Sequence, residues 1–234
     1  MKLLATSLSI ALSLASLPGA CQSFPSSENY SYNPMHGVGV AHNAYAGCLI
    51  VNYAGGGELA LADSLVRKCG ARKDEDAEEF VREYAQIAGS LRPDPRLTLA
   101  DNLRSLHSRF DPAQFAYFED IDRVFAGAVD PEAASRELKA LEAKAIGQLG
   151  RSDGDLEVLA AIATARYSLE LWSRQRPLVT TAGRSFPWEV VAADVAGLLL
   201  GNAACGRECG VLVSTVFSAV AALQDLQQPD TSAR

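Results

Sequence analysis

The fold is decided by residues 187–223, PWEVVAADVAGLLLGNAACGRECGVLVSTVFSAVAAL. Two apolar runs, Val190–Ala204 and Gly210–Leu223, flank a short break, Cys205-Gly206-Arg207-Glu208-Cys209. Small residues recur every four positions in both runs: Ala193, Gly197 and Gly201 in the first, and Gly210, Ser214, Ser218 and Ala222 in the second. Residues four apart share one face of a helix. Each run therefore carries a smooth stripe against which another backbone can come close. A glycine inside a helix costs ~1 kcal/mol relative to alanine, so Gly197 and Gly201 require a packing reason. Short connections favour antiparallel neighbours. The stretch predicts an antiparallel helical hairpin whose two stripes face each other.

Both runs fall short of the about 20 apolar residues that span a bilayer, and Asp194 and Asn202 interrupt the first. A buried core hairpin is the expectation. The alternative is a membrane-active, toxin-like protein whose hairpin leaves the core and enters a bilayer, with Asp194 as a pH-sensitive brake. A buried charge needs a partner. Arg184 and Arg207 are candidates, and the positive end of the helix after Pro187 also favours a carboxylate.

Most of the chain before the hairpin is patterned for amphipathic helices. Leu59, Ala62, Leu65, Val66 and Cys69 form one face. Phe80, Val81, Tyr84, Ile87, Ala88 and Leu91 form the next, stopped by Pro93 and Pro95. Leu99, Leu103, Leu106 and Phe110 follow Thr98, a helix-start residue. Asp111-Pro112-Ala113-Gln114 combines a capping acid, a first-position proline and a third-position glutamine. Behind it lie Phe115, Phe118, Ile121, Phe125 and Ala128. Asp130-Pro131-Glu132 starts another helix, with Leu138, Leu141, Ala145 and Leu149. Ser152-Asp153 starts a long one carrying Leu156, Leu159, Ala163, Tyr167 and Leu171, ended by Arg176-Pro177. Such faces need a partner, and the uniformly apolar hairpin is their natural centre. The fold class is all-α, a bundle of about seven or eight helices within residues 58–228.

The chain opens with a signal-peptide pattern over residues 1–20: Lys2, an apolar stretch Leu3–Leu17, then Pro18-Gly19-Ala20. A small residue directly before Cys21 resembles the lipobox of bacterial lipoproteins, although Pro18 stands where leucine is usual. That resemblance implies acylation of Cys21, and more than one acyl chain gives stable anchoring to a membrane. Residues 21–35 read as a disordered, lipid-proximal tether rich in Ser, Asn, Tyr and Pro. Residues 36–57 read as an ordered or partly extended segment ending in the link Gly55-Gly56-Gly57.

Of the 5 cysteines, lipidation of Cys21 leaves Cys48, Cys69, Cys205 and Cys209, an even number for an oxidising compartment. Four cysteines allow three pairings. The most local is Cys48 with Cys69 and Cys205 with Cys209; free thiols packed as small hydrophobes are the alternative. The formal net charge is −7, and loss of Lys2 with the leader makes the chain more acidic still. An acidic chain lacks the basic footprint of a nucleic-acid binder.

Few residues carry candidate chemistry. His36 and His42, on one side of an extended segment, would bind zinc with a carboxylate, but no further ligand spacing accompanies them. Cys48 with His42 would make a nucleophile and base, against which stands the expected disulfide. Gly55–Gly57 matches no phosphate-loop pattern. Glu119, Asp120 and Asp122 read as a solvated face, with Glu119 and Arg123 paired four apart. No cofactor is implied.

Gly39-Val40-Ala41-His42-Asn43, followed far downstream by Ala193-Asp194-Val195-Ala196-Gly197 and a Gly/Ala-rich hairpin, resembles uncharacterised envelope proteins seen mostly in Bacteroidetes. The resemblance covers the two ends of the chain. It implies location and architecture rather than an activity. The expected function is a non-enzymatic, lipid-anchored bacterial envelope protein (outer membrane or periplasm) with a binding or structural role and an envelope protein as partner. An envelope hydrolase using His36 or His42 is a further alternative.

Overall fold

The computed structural model describes residues 33–52, 55–175 and 186–227. The expected leader and Cys21 lie outside them, as does Arg184. The described chain is all-α and holds no strand. Its helices are α1 (His36–Asn52), α2 (Glu58–Arg67), α3 (Ala77–Leu91), α4 (Leu99–Asn102), α5 (Pro112–Gly127), α6 (Pro131–Gln148), α7 (Asp153–Arg174), α8 (Trp188–Cys205) and α9 (Arg207–Gln227). Short 3-10 turns cover Asp74–Asp76 and Arg104–Arg109.

The helix starts follow from capping chemistry. Asp111 accepts from the Gln114 amide while the Gln114 side chain returns to the Asp111 amide, with Pro112 at the first position. Asp130 accepts from Ala133 N ahead of Pro131. Ser152 and Asp155 form a second reciprocal box at α7. Each cap satisfies backbone donors that the first helical turn leaves free, worth about 1 kcal/mol. Gln114 also donates to Asp155 Oδ1 at 2.9 Å, tying the starts of α5 and α7 together.

The α8–α9 hairpin is antiparallel and packs through its stripes. A Cβ built on Gly197 would stand 2.9 Å from Ser214 Cα, and one on Gly201 would stand 2.7 Å from Gly210 Cα. Backbones this close leave no room for a side chain, which is the packing reason for these glycines. The turn is made by Gly206 at φ 89°, in the left-handed region that glycine adopts without strain. The disulfide Cys205–Cys209 closes it, and Cys48–Cys69 ties the end of α1 to the end of α2. Both are the most local pairing.

The hairpin lies between two apolar clusters. Along α8, Val190, Val195, Leu198 and Leu199 join α5, α6 and α7. Along α9, Leu212, Val213, Val216 and Phe217 meet Leu49 of α1, Leu61 and Leu65 of α2, and Phe80 and Tyr84 of α3. The burial of α8 and much of α9 makes them core helices in this fold.

Four expectations are corrected. Residues 36–52, expected to be ordered or partly extended, form a helix, and Gly39 is what lets it lie against α7. A Cβ there would meet Tyr167 Cδ2 at 2.5 Å and Ala163 O at 2.8 Å, so only glycine lets α1 lie this close on α7. Asn33, expected within the disordered tether, has a buried side chain that donates to Glu142 Oε1 at 2.6 Å and to Leu159 O at 3.2 Å. In α2 the buried residue is Leu61, while Leu59 is 49% exposed. Finally, α7 is not a one-faced helix. Every residue from Glu157 to Ala165 is buried, so α7 is as central as the hairpin.

Candidate functional site

Two places among the described residues are candidate sites, and they differ in access. The first is a closed polar centre where α1, α7, α8 and α9 meet. Asp194 of α8 is fully buried. Its Oδ2 accepts from Ser168 Oγ and from Trp172 Nε1 (3.3 Å), both on α7. Its Oδ1 lies 3.4 Å from His42 Nε2 on α1. Ser214 of α9 donates to the Asp194 backbone carbonyl at 2.5 Å. Of the two expected arginine partners, Arg207 is exposed in the hairpin turn and Arg184 lies outside the described residues; among the described residues the charged partner of Asp194 is His42.

The geometry around His42 favours its charged form. Asn43 donates its amide to Tyr167 O at 2.6 Å, which turns Asn43 Oδ1 toward His42 Nδ1 at 3.4 Å. Both ring nitrogens therefore face acceptors, a match for imidazolium, in which both are donors. Burial works against the charge, but the negative charge of Asp194, with help from Asn43, outweighs it and raises the His42 pKa above its ordinary 6.5. The His42–Asp194 contact is long and misaligned, and neither atom has a hydrogen-bond partner. The attraction is thus one of charges rather than a directed hydrogen bond.

The carboxylate lies between the histidine and the serine, so Ser168 bonds to Asp194 and not to the imidazole of His42. Burial of all three closes the centre to a substrate. Its role is to join four helices.

The other singled-out residues go elsewhere. On a helix, His36 and His42 point in different directions. His36 Nδ1 lies 3.0 Å from Tyr167 Oη, far from any shared ligand position. Among the described residues, no group of three or more His, Cys, Asp or Glu is arranged to hold a metal ion. Cys48 is consumed in its disulfide, which removes the nucleophile pairing with His42. Arg123 pairs with Asp120 rather than Glu119, and Lys144 joins Asp120 at 3.1 Å. Asp122 leaves the solvated face altogether. It accepts from Leu99 N (2.7 Å) and Ala100 N (2.9 Å), holding the start of α4. Its burial raises its pKa in spite of those two bonds.

The second place is an open cleft of about 500 Å³ where the α3–α4 connection and α5 meet the first turns of α8 and the last turns of α9. Its apolar walls include Phe125, Trp188, Ala192, Ala193, Phe217 and Val220. Phe125 and Trp188 stack with ring centres 5.8 Å apart, and Phe186 supports Trp188 at 4.5 Å. Pro93 and Pro95 shape the opposite side by ending α3 and keeping the backbone extended. The volume lies within the range of small-molecule pockets, about 300–1,000 Å³.

Of the hairpin residues, Gly197, Gly201, Gly210 and Ser214 form the seam, with Ser218 buried beside them and its hydroxyl unpartnered. Ala193 instead lines the cleft, and Ala222 joins the main core. Sequence reasoning did not find Ser168, Trp172 or the cleft aromatics. Ser168 and Trp172 lie four apart, one turn of α7, a spacing that marks a shared face but does not name what it meets. Comparison with protein-family models, curated proteins and solved structures finds no match for this chain.

Proposed function

We propose that this chain is a non-enzymatic, extracytoplasmic binding protein, anchored to a bacterial membrane through lipid on Cys21, whose cleft beside Trp188 holds an apolar ligand. The observation that carries this reading is the contrast in access: the acid–base residues are sealed in the core, whereas the aromatic cleft is open and concave. The two disulfides fit an oxidising compartment. A neutral solvatochromic dye tests the reading. The full chain is expected to bind one dye saturably. Ala192→Trp, which fills the cleft, should abolish binding with an unchanged unfolding midpoint. Absence of saturable binding by the wild type, or full binding by the variant, sinks the proposal.

One observation favours a second reading. Among the described residues, α8 is the one helix long and apolar enough to cross a membrane. A membrane-active protein would release this helix and make liposomes leak between mildly acidic and neutral pH. The binding reading expects no leakage at any pH in that range.

A further inference from the structure

We infer that the cleft takes a cationic amphiphile, its apolar body against Phe125, Trp188 and Phe217 and its ammonium group at Glu189. This rests on the proposal that the cleft is a binding site and names the ligand class.

The charges around the cleft decide the sign. Arg92 pairs with Glu58 and lies over the Phe217 ring at 5.9 Å, so its charge is engaged twice. Arg123 is paired with Asp120. Asp94 is held by Arg96, which keeps its carboxyl down at about 2. Asp122 is bonded to the amides of α4. Glu189 remains: it lines the cleft and is exposed, and it makes no ion pair or hydrogen bond among the described residues. On α8, Glu189 is three and four residues from Ala192 and Ala193, so its side chain lies on the face that lines the cleft.

The chemistry of the walls agrees. Aromatic faces attract cations within about 6 Å of the ring centre, most strongly at Trp. A cation at Glu189 is therefore met by a carboxylate in a cleft whose wall also carries the indole of Trp188. An anionic amphiphile would face Glu189 with both nearby guanidinium groups already engaged. A neutral one would leave Glu189 unused.

Calorimetric titration of the full chain at neutral pH compares three ten-carbon probes below their micelle concentrations: decyltrimethylammonium, decanol and decanoate. The cation is expected to bind about tenfold more tightly than decanol, the size of a carboxylate–cation contact reinforced by an aromatic face, with decanoate weakest. Glu189→Gln should bring the cation close to decanol while leaving decanol binding and the unfolding midpoint unchanged. If Glu189→Gln keeps the preference, or decanoate binds as tightly as the cation, the ligand class is wrong while the apolar site stands. If none of the three binds saturably, the binding-protein reading fails and the inference fails with it.

Discussion

The polar centre and the cleft are both built on α8, one turn apart, and they have opposite characters. In the centre, Asp194 meets His42, Ser168 and Trp172 with no solvent between them. Around the cleft, Trp188, Glu189 and Ala192 face an opening. The residues that look most chemical are therefore the sealed ones, whereas Trp188, which looks like ordinary core, is half-buried at an opening. Access, more than residue type, separates the two roles. A charge inside a protein costs several kcal/mol unless paired, so a paired interior charge first answers a folding requirement.

Asp194→Ala is the strongest test of that contrast. It strands His42 without its counter-charge and leaves Ser168 and Trp172 without an acceptor. Removing one partner of a buried pair typically costs about 3–5 kcal/mol, to be read as a lower urea midpoint. A loss under about 1 kcal/mol would mean that the centre does not join the helices.

Next in size is packing at the hairpin seam. Gly197→Leu should lose about 1–3 kcal/mol through overpacking against Ser214. The helix-propensity gain, under ~1 kcal/mol, acts the other way and is outweighed. Gly147 in α6 is the control. A Cβ there meets nothing within 4 Å, so Gly147→Ala should gain up to ~1 kcal/mol. If both variants shift the urea midpoint the same way, the seam is not close-packed as described.

The smallest effect concerns pH. The folded-state pKa of His42 is raised above the unfolded 6.5. Its contribution to stability is therefore fully present below 6.5 and is lost as pH rises through the folded value. Unfolding midpoints should fall as pH rises above 6.5, and His42→Gln should flatten that slope. An unchanged slope in the variant would show that another group carries the pH dependence.

Much of the fold was legible because its causes are local. The caps at Asp111, Asp130 and Ser152 act within three residues, and the structure contains all three. The hairpin could be read from two stripes of period four around a glycine turn. The local disulfide pairing needed only short loops. Where reading failed, the cause was distant. Gly39 looked like part of an irregular segment until the backbone of α7 lay against it. The alanines of α7, Ala160, Ala161, Ala163 and Ala165, carry little hydrophobic signal, yet their small size lets other helices close over every side of that element.

His42-Asn43 and Asp194 each stood out in the sequence, but their pairing did not. By itself, the sequence determined that the chain is all-α, where most of its helices start and that the α8–α9 hairpin is close-packed, and it singled out the most local cysteine pairing among three. Tertiary structure alone decided that α7 shares the centre, that Asp194 meets His42 rather than Arg207, and that Trp188 borders an opening. The physical reason is range. Helix periodicity, caps and short loops act over a few residues, whereas a salt partner or a cleft is set by helices that meet across more than a hundred.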